Sequence, residues 1–172
     1  MILLDANLLV YAHTPESPRR EAASTWLEEV LNGPAKVGLP WPTLLAFVRL
    51  MGNPSVVSEP VPLNQAWTRV KAWLELPQTW IPVPTEHHPR IISRLIDEES
   101  KSDLAADAHL AALAIEHGLT VCSTDSDFAR FREVRWENPL VPPAADPATG
   151  ARTFRSRPAD SSRVSGARCA PR

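Results

Sequence analysis

The first eleven residues, Met1-Ile-Leu-Leu-Asp-Ala-Asn-Leu-Leu-Val-Tyr11, decide the fold. The apolar run of residues 2–4 predicts a buried strand, and the second apolar stretch, which begins at Leu8, predicts the helix after it. Asp5 and Asn7 lie at the junction. Because ligands of open α/β sheets bind at the carboxyl ends of the strands, Asp5 is either a site residue or the N-cap of the helix. These residues alone leave both interpretations open.

Apolar strand-like runs and helix-like segments alternate through the rest of the chain. The patterns predict strands at 37–39, 119–122 and 135–139, an extended segment at 80–83, helices at 19–31, 43–51, 64–76, 88–100 and 104–117, and a helical turn at 128–131. Short strands separated by helices are typical of an α/β fold with a parallel sheet.

The 172 residues predict one domain with a substantial core, formed by residues 1–140. Residues 141–172 are rich in Pro, Ala, Ser and Arg, so they bury too little apolar surface to fold, and we predict a disordered tail. No apolar run approaches the ~20 residues that span a bilayer. The first apolar run lacks the charged region of a signal peptide. We therefore expect a cytoplasmic protein without membrane contact.

The net charge of −2 combines two unlike parts. Residues 141–172 contain six Arg and two Asp, a net charge of +4, whereas residues 1–140 contain 12 basic and 18 acidic groups, a net charge of −6. An acidic body is a poor general binder of phosphate. If the substrate is a polyanion, metal ions or a local basic patch must supply positive charge.

Carboxylates follow or begin three of the predicted elements. Asp5 follows the first strand, Asp103 and Asp107 are one helical turn apart, and Asp125 and Asp127 follow the strand at 119–122. If both strands are parallel neighbours, these acids meet at one sheet edge. For Asp103 we favour a helix cap, and the acids near 125 also suit a turn. Asp107 lies among alanines, where an unpartnered carboxylate is costly.

Clustered carboxylates without nearby Lys or Arg repel one another and are tolerated when a divalent cation binds them. Oxygen ligands select Mg²⁺ or Mn²⁺ over zinc. Such ions polarise a phosphate and activate water for in-line attack on a phosphodiester. The cluster therefore indicates metal-dependent phosphodiester hydrolysis.

Four segments in order resemble a known family. They are Met1-Ile-Leu-Leu-Asp-Ala-Asn-Leu-Leu, Leu104-Ala-Ala-Asp-Ala-His-Leu-Ala-Ala-Leu-Ala-Ile-Glu-His-Gly118, Ser123-Thr-Asp-Ser-Asp-Phe128 and Arg135-Trp-Glu-Asn-Pro139. Together they resemble the PIN-domain ribonucleases, specifically the VapC toxins of type II toxin–antitoxin systems. The resemblance implies an α/β/α sandwich, Mg²⁺- or Mn²⁺-dependent endonuclease activity on RNA, a homodimer, and a VapB-type antitoxin that covers the acidic groove.

The resemblance also implies roles for single residues. Asp5 and Asp107 match the principal metal-binding acids, and Asp125 matches the acid after the later strand. Asp5, Asp107 and Asp125 are thus the predicted catalytic and metal-binding residues. The predicted supporting residues are Asn7, Asp103, Ser123 and Asp127, with Ser123 at the position of a frequent Thr.

One departure from the family concerns the helix at 43–51. Many members have a Glu there, near the positions of Ala46 and Phe47, but this helix contains no acid. We therefore expect weaker or single-metal binding, and the alternative function is a catalytically weak module that binds RNA or an antitoxin. Arg49 is either a phosphate contact or an ordinary exposed residue.

The other polar and aromatic residues receive structural interpretations. His87, His88, His109 and His117 are predicted to lie in a loop, at helix ends or away from Asp107, without a chemical role. The six Trp are predicted to pack in the core or an interface rather than to stack on bases.

Overall fold

The computed structural model describes residues 1–97 and 104–141. Asp103 and residues 142–172 of the predicted tail lie outside the described residues, so the cap predicted at Asp103 and the disorder predicted for the tail stay predictions. No helix in the described part of the chain is both long and apolar enough to cross a membrane.

Helices and strands alternate along the chain, as the sequence predicts. In order they are β1 (Ile2–Leu4), α1 (Ala6–His13), α2 (Arg20–Asn32), β2 (Val37–Gly38), α3 (Trp41–Met51), α4 (Leu63–Leu74), β3 (Thr79–Trp80), α5 (His88–Asp97), α6 (Ala105–His117), β4 (Thr120–Cys122) and β5 (Arg135–Glu137). A short 3-10 helix, Ser126–Arg130, connects β4 to β5.

The five strands form one sheet in the order β3-β2-β1-β4-β5. Every neighbouring pair is parallel, so the predicted parallel sheet is confirmed. From β1 the chain first builds the sheet toward β3 and then returns to add β4 on the other side of β1. The order therefore reverses between β1 and β4, and in open α/β sheets this reversal opens a crevice at the carboxyl ends of the strands.

Two helical layers cover the sheet, and the alternation of β1 residues shows why. Leu4 packs into a core with buried residues of α1, α2, α3 and α4. Its neighbour Leu3 packs into a second core with residues of α5 and α6. Successive side chains of a strand point to opposite faces, so a strand buried on both faces must be apolar throughout, as Ile2–Leu4 is. The α/β/α sandwich is confirmed.

The edges of the sheet differ most from the sequence-based prediction. The extended segment predicted at 80–83 corresponds to a two-residue strand, Thr79–Trp80, that pairs with Val37 and Gly38 of β2. Such a short strand has too few residues for an alternating pattern. At the other edge, the segment predicted at 135–139 forms β5, Arg135–Glu137.

Candidate active site

Asp5 is both a helix cap and a residue of the crevice between β1 and β4. Its Oδ1 accepts a 2.6 Å hydrogen bond from the Ala6 backbone N–H, which caps α1. Its Oδ2 accepts bonds from Asn7 Nδ2 at 2.8 Å and from Ser123 Oγ at 2.7 Å. The two interpretations of Asp5 therefore do not exclude each other, because each carboxylate oxygen has a different set of partners.

Ser123 is fully buried and holds the site together. Its hydroxyl donates to Asp5 Oδ2 and accepts from Asn7 Nδ2 at 2.8 Å and from the Asp125 backbone N–H at 3.0 Å. One hydroxyl thus connects the end of β1, the start of α1 and the loop after β4. These bonds hold the Asp5 carboxylate in a fixed orientation.

The backbone around the site is held by two residues that the sequence analysis missed. Trp136 of β5 donates its indole N–H to the Ser123 carbonyl at 3.0 Å. Buried Thr43 of α3 donates its hydroxyl to the Leu4 carbonyl at 2.9 Å, directly before Asp5. Sequence spacing gives no signal for either contact, since the partners are 13 and 39 positions apart.

Asp107, near the start of α6, faces the same carboxylates. Burial raises its pKa to about 6, and repulsion from Asp5, Asp125 and Asp127 adds to the shift. Burial also raises the pKa of the Asp5 carboxyl, against the opposing effect of the hydrogen bonds from Ser123 and Ala6. The structure therefore brings Asp5, Asp107, Asp125 and Asp127 into one electrostatic cluster, although their roles as ligands stay predictions.

Asp125 and Asp127 also have the turn role that the sequence left open. Asp125 is the N-cap of the 3-10 helix, and its Oδ1 accepts a 2.9 Å bond from the Asp127 backbone N–H. Asp125 is exposed and Asp127 half-buried, so the outer part of the cluster faces solvent. One face of the crevice is thus lined by acids that water or a bound ion can reach.

The donor set fits a hard divalent cation. Asp5, Asp107, Asp125 and Asp127 all offer carboxylate oxygens. The ion pairs described in residues 1–97 and 104–141 involve other acids, namely Glu86, Glu116 and Glu133. Within those residues, no three Asp, Glu, His or Cys side chains are already gathered as a metal-binding group. Mg²⁺ is typically bound by one or two protein carboxylates and keeps several water ligands. Asp5 and Asp107 alone would therefore supply enough protein ligands.

The position of the missing Glu is part of the core. Phe47 of α3 is fully buried and packs its ring at 4.8 Å from that of Trp73. Ala46 is half-buried and offers no ligand atom. The cluster is therefore built from β1, α6 and the loop after β4, without a contribution of charge from α3.

Four polar side chains form a separate hydrogen-bonded chain at α5 and α6. Nδ1 of His88 lies 2.7 Å from Oε2 of Glu116, and its Nε2 lies 2.9 Å from Nδ1 of His109. Thr85 donates its hydroxyl to Oε1 of Glu116 at 2.5 Å. His88 and Glu116 are buried, so these contacts satisfy groups that would otherwise be costly inside the protein.

The family follows from comparison with known proteins. The PIN domain family model matches residues 2–134. The chain belongs to the PIN-domain family. This match spans β1 to β4 and includes Asp5, Asp107 and Asp125, so the acidic cluster lies inside the PIN domain.

Similar proteins come from mycobacteria. Ribonuclease VapC37 of Mycobacterium tuberculosis is 41% identical over 140 residues, which cover 81% of this chain and 97% of that protein. Ribonuclease VapC33 of the same species is 35% identical, with coverage of 81% and 99%. VapC ribonuclease Mb2897 of Mycobacterium bovis is 38% identical, with coverage of 81% and 96%. The resemblance to VapC ribonucleases is confirmed.

Solved structures share the PIN fold at lower identity. FitAcB from Neisseria gonorrhoeae aligns with a TM-score of 0.60 and 23% identity, covering 81% of this chain and 98% of that chain. VapBC2 from Rickettsia felis, bound to a DNA fragment from its promoter, aligns with a TM-score of 0.58 and 18% identity, covering 80% and 98%. These likenesses show a shared fold.

The buried hydroxyl of Ser123 should be needed for stability. Ser123→Ala leaves Asp5, Asn7 and the Asp125 N–H without their shared partner, so we expect the free energy of unfolding to fall by about 1–3 kcal/mol. Ser123→Thr keeps the hydroxyl and should lose less. Urea unfolding of both variants checks this, and equal stability of Ser123→Ala and the wild type would contradict it.

The raised pKa of Asp107 predicts a pH-dependent stability. Because its carboxyl has a pKa of about 6 when folded and 3.8 ordinarily, the folded chain binds more protons between these values, and this carboxyl lowers stability as the pH rises through that window. The destabilisation caused by Asp107 reaches its full size above about pH 6 and is absent below pH 3.8, the ordinary pKa of the carboxyl. Discounting for partial exposure, we expect Asp107→Asn to gain about 1 kcal/mol at pH 8.

Urea unfolding in EDTA, at several pH values from 4 to 8, measures this gain. It should shrink toward the acidic end of the range. Glu28→Gln, which removes an exposed charge on α2, is the matched control and should be neutral at every pH. A gain for Asp107→Asn that does not depend on pH would contradict the electrostatic explanation.

Proposed function

We propose that the chain is an Mg²⁺- or Mn²⁺-dependent endoribonuclease that acts as the toxin of a type II toxin–antitoxin pair. The observation that carries the proposal is the convergence of Asp5, Asp107 and Asp125 at the switch point of a PIN-domain sheet, where burial, together with repulsion from the neighbouring carboxylates, raises the pKa of Asp107. The names of the mycobacterial relatives, ribonuclease VapC, support RNA as the substrate.

Each residue of the cluster has a proposed part in this reaction. Asp5, Asp107 and Asp125 would hold the cation. The bound cation would offset the negative charge of an RNA phosphodiester and activate the attacking water. Ser123 and Asn7 orient Asp5 through their hydrogen bonds to Oδ2. Asp127 supports the site through its negative charge, which acts on Asp107, and Asp103 keeps its predicted supporting role as a helix cap.

A partner protein belongs to the same proposal. The neighbour VapBC2 is a two-component complex held on promoter DNA, and this supports a cognate VapB-type antitoxin for the present chain. The antitoxin would cover the acidic crevice and so withhold it from RNA. A homodimer and a cytoplasmic location accompany this function.

A second candidate function has one observation in its favour. α3 contains no acid, and the position near Phe47 is filled by core packing. With fewer carboxylates, the cation binds more weakly, and a PIN domain without turnover would act as a module that binds RNA or an antitoxin. Cleavage by the purified chain distinguishes this module from the ribonuclease.

Neutralising one acid should abolish the activity. Asp5→Asn and Asp107→Asn remove the charges that hold the cation while keeping side-chain size, so we expect RNA cleavage to fall by at least about a hundredfold. Cleavage of structured RNA by purified protein is measured with Mg²⁺ or Mn²⁺, and growth is measured after induction in a bacterial host. EDTA should stop cleavage, and excess Mn²⁺ should restore it.

The control is Glu28→Gln, an exposed change on α2, which should cut RNA and inhibit growth as the wild type does. Undiminished cleavage and toxicity in both aspartate variants would refute the proposed site. Wild-type protein that binds RNA but never cuts it, with any of several RNAs and either metal, would favour the binding module.

A further inference from the structure

Trp136 and Pro139 lie where the ladder between β4 and β5 ends. Cys122 lies opposite Glu137 in this parallel pair, and the next residue, Ser123, continues the ladder by donating its N–H to the Glu137 carbonyl at 3.1 Å. In a parallel ladder the carbonyl of the same residue then accepts from the N–H two positions further along the partner strand. That position is Pro139, which has no N–H. The ladder therefore leaves the Ser123 carbonyl without a backbone donor from β5.

Pro139 has a structural reason of its own. It is the second residue of a turn in which the Val141 N–H donates to the Asn138 carbonyl at 3.3 Å, and this turn position favours proline. The turn ends β5, so β4 and β5 stop pairing at the same point. The chain after β4 then leaves the sheet and forms the loop and 3-10 helix that contain Asp125 and Asp127.

The Trp136 side chain supplies the donor that Pro139 lacks. Its indole N–H donates to the Ser123 carbonyl at 3.0 Å. The ring is half-buried and packs against the same core as Val121, its partner in the register, so packing holds the donor in place. Ser123 is fully buried, and a buried carbonyl needs a donor. The Ser123 backbone is thus held by β5 through both its N–H and its carbonyl.

This backbone decides where two carboxylates lie. The Ser123 hydroxyl donates to Asp5 Oδ2 at 2.7 Å and accepts from the Asp125 N–H at 3.0 Å. The Ser123 carbonyl belongs to the peptide whose N–H, that of Thr124, donates to Asn7 Oδ1 at 3.4 Å. Rotation of this peptide would displace the loop that contains Asp125 and disturb the contacts of the Ser123 hydroxyl.

We propose that Trp136 is a positioning residue of the acidic site. Its indole N–H replaces the N–H that Pro139 lacks and holds the Ser123 peptide in the orientation that keeps Asp5 and Asp125 at the proposed cation. The inference rests on the proposed function, since the cation is the one that these carboxylates would hold. It adds to that function a residue of β5 that acts through Ser123 and offers no ligand atom itself, because an indole N–H only donates.

The alternative is that the Trp136 ring only packs against the core of α5 and α6. Trp136→Phe separates the two roles, because phenylalanine keeps an aromatic ring and lacks the N–H. Pro139→Ala adds a second test, because it introduces a backbone N–H at the position where the ladder needs one. A ring that only packs would gain nothing from that N–H.

Calorimetric titration of Mn²⁺ into the full-length chain, without RNA, tests the positioning role. We expect Trp136→Phe to weaken Mn²⁺ binding about tenfold, as the loss of a group that orients a metal ligand typically does. Pro139→Ala alone should bind as the wild type does, because Trp136 still donates. The double variant should recover most of the affinity, since the new backbone N–H can donate to the Ser123 carbonyl.

The matched control is Trp26→Phe, which makes the same change at a half-buried residue of α2 and should bind Mn²⁺ as the wild type does. Urea unfolding of each variant in EDTA measures stability separately. A Trp136→Phe chain that is less stable but binds Mn²⁺ normally has lost packing alone.

The indole signals give a readout that packing alone would not move. In a ¹⁵N-labelled chain, the signal missing from Trp136→Phe identifies the Trp136 indole N–H, and Trp26→Phe identifies that of Trp26. Mg²⁺ should shift the Trp136 signal in the wild type and leave it in place in Asp5→Asn. The Trp26 signal should not respond in either chain.

Mn²⁺ binding of wild-type strength in Trp136→Phe would overturn the positioning role. A loss that Pro139→Ala does not repair would also overturn it, because that loss would come from the ring and not from its N–H. So would a Trp136 signal that ignores Mg²⁺ in a chain that binds it. A wild-type chain that binds neither cation would instead refute the cation site of the proposed function, and the positioning role with it, so the two failures are distinguishable.

Discussion

The parallel pairing of β1 with β4 is the constraint on which the site depends. Leu4 lies opposite Cys122, and the Asp5 N–H continues the ladder with a 3.1 Å bond to the Cys122 carbonyl. Asp5 and Ser123 therefore leave the sheet side by side. Both strands are buried, and a slip of one residue would move each of their side chains to the opposite face of the sheet, into the core that it does not fit. The register that fills the cores is thus the register that assembles the acids.

The acidic cluster lowers the stability of the folded chain and at the same time forms the proposed site. Asp107 is partly buried beside other carboxylates, and its raised pKa shows that the folded chain resists its ionisation. A buried hydroxyl and an amide hold Asp5 instead of a cationic side chain. A Lys or Arg in their place would relieve the repulsion, but it would also remove the reason for a metal ion to bind. The repulsion left in the free protein is what a divalent cation would relieve.

The sequence predicted the parts of the fold that periodicity and apolar runs control. β1 and β4 lie in short apolar runs and α6 is rich in Ala. Parallel strands bring their carboxyl ends together, so the convergence of the acids followed from the pattern. The contacts of Trp136 and Thr43 depend on distant packing, which spacing does not reveal. The exposure of Trp41 and Trp67 could not be read from spacing for a related reason, because only the packing of α3 on α4 shows which side of each helix faces water.

Calorimetric titration of Mn²⁺ into the purified chain tests the central claim, that Asp5 and Asp107 form one cation site, without any need for RNA or cleavage. The account predicts saturable binding by the wild type near pH 6, where the Asp107 carboxyl is part-protonated, with release of protons that is seen as a dependence of the heat on the buffer. Asp5→Asn should abolish binding, and Asp107→Asn should abolish it together with the proton release. Binding of equal strength in the wild type and in both variants would contradict the account.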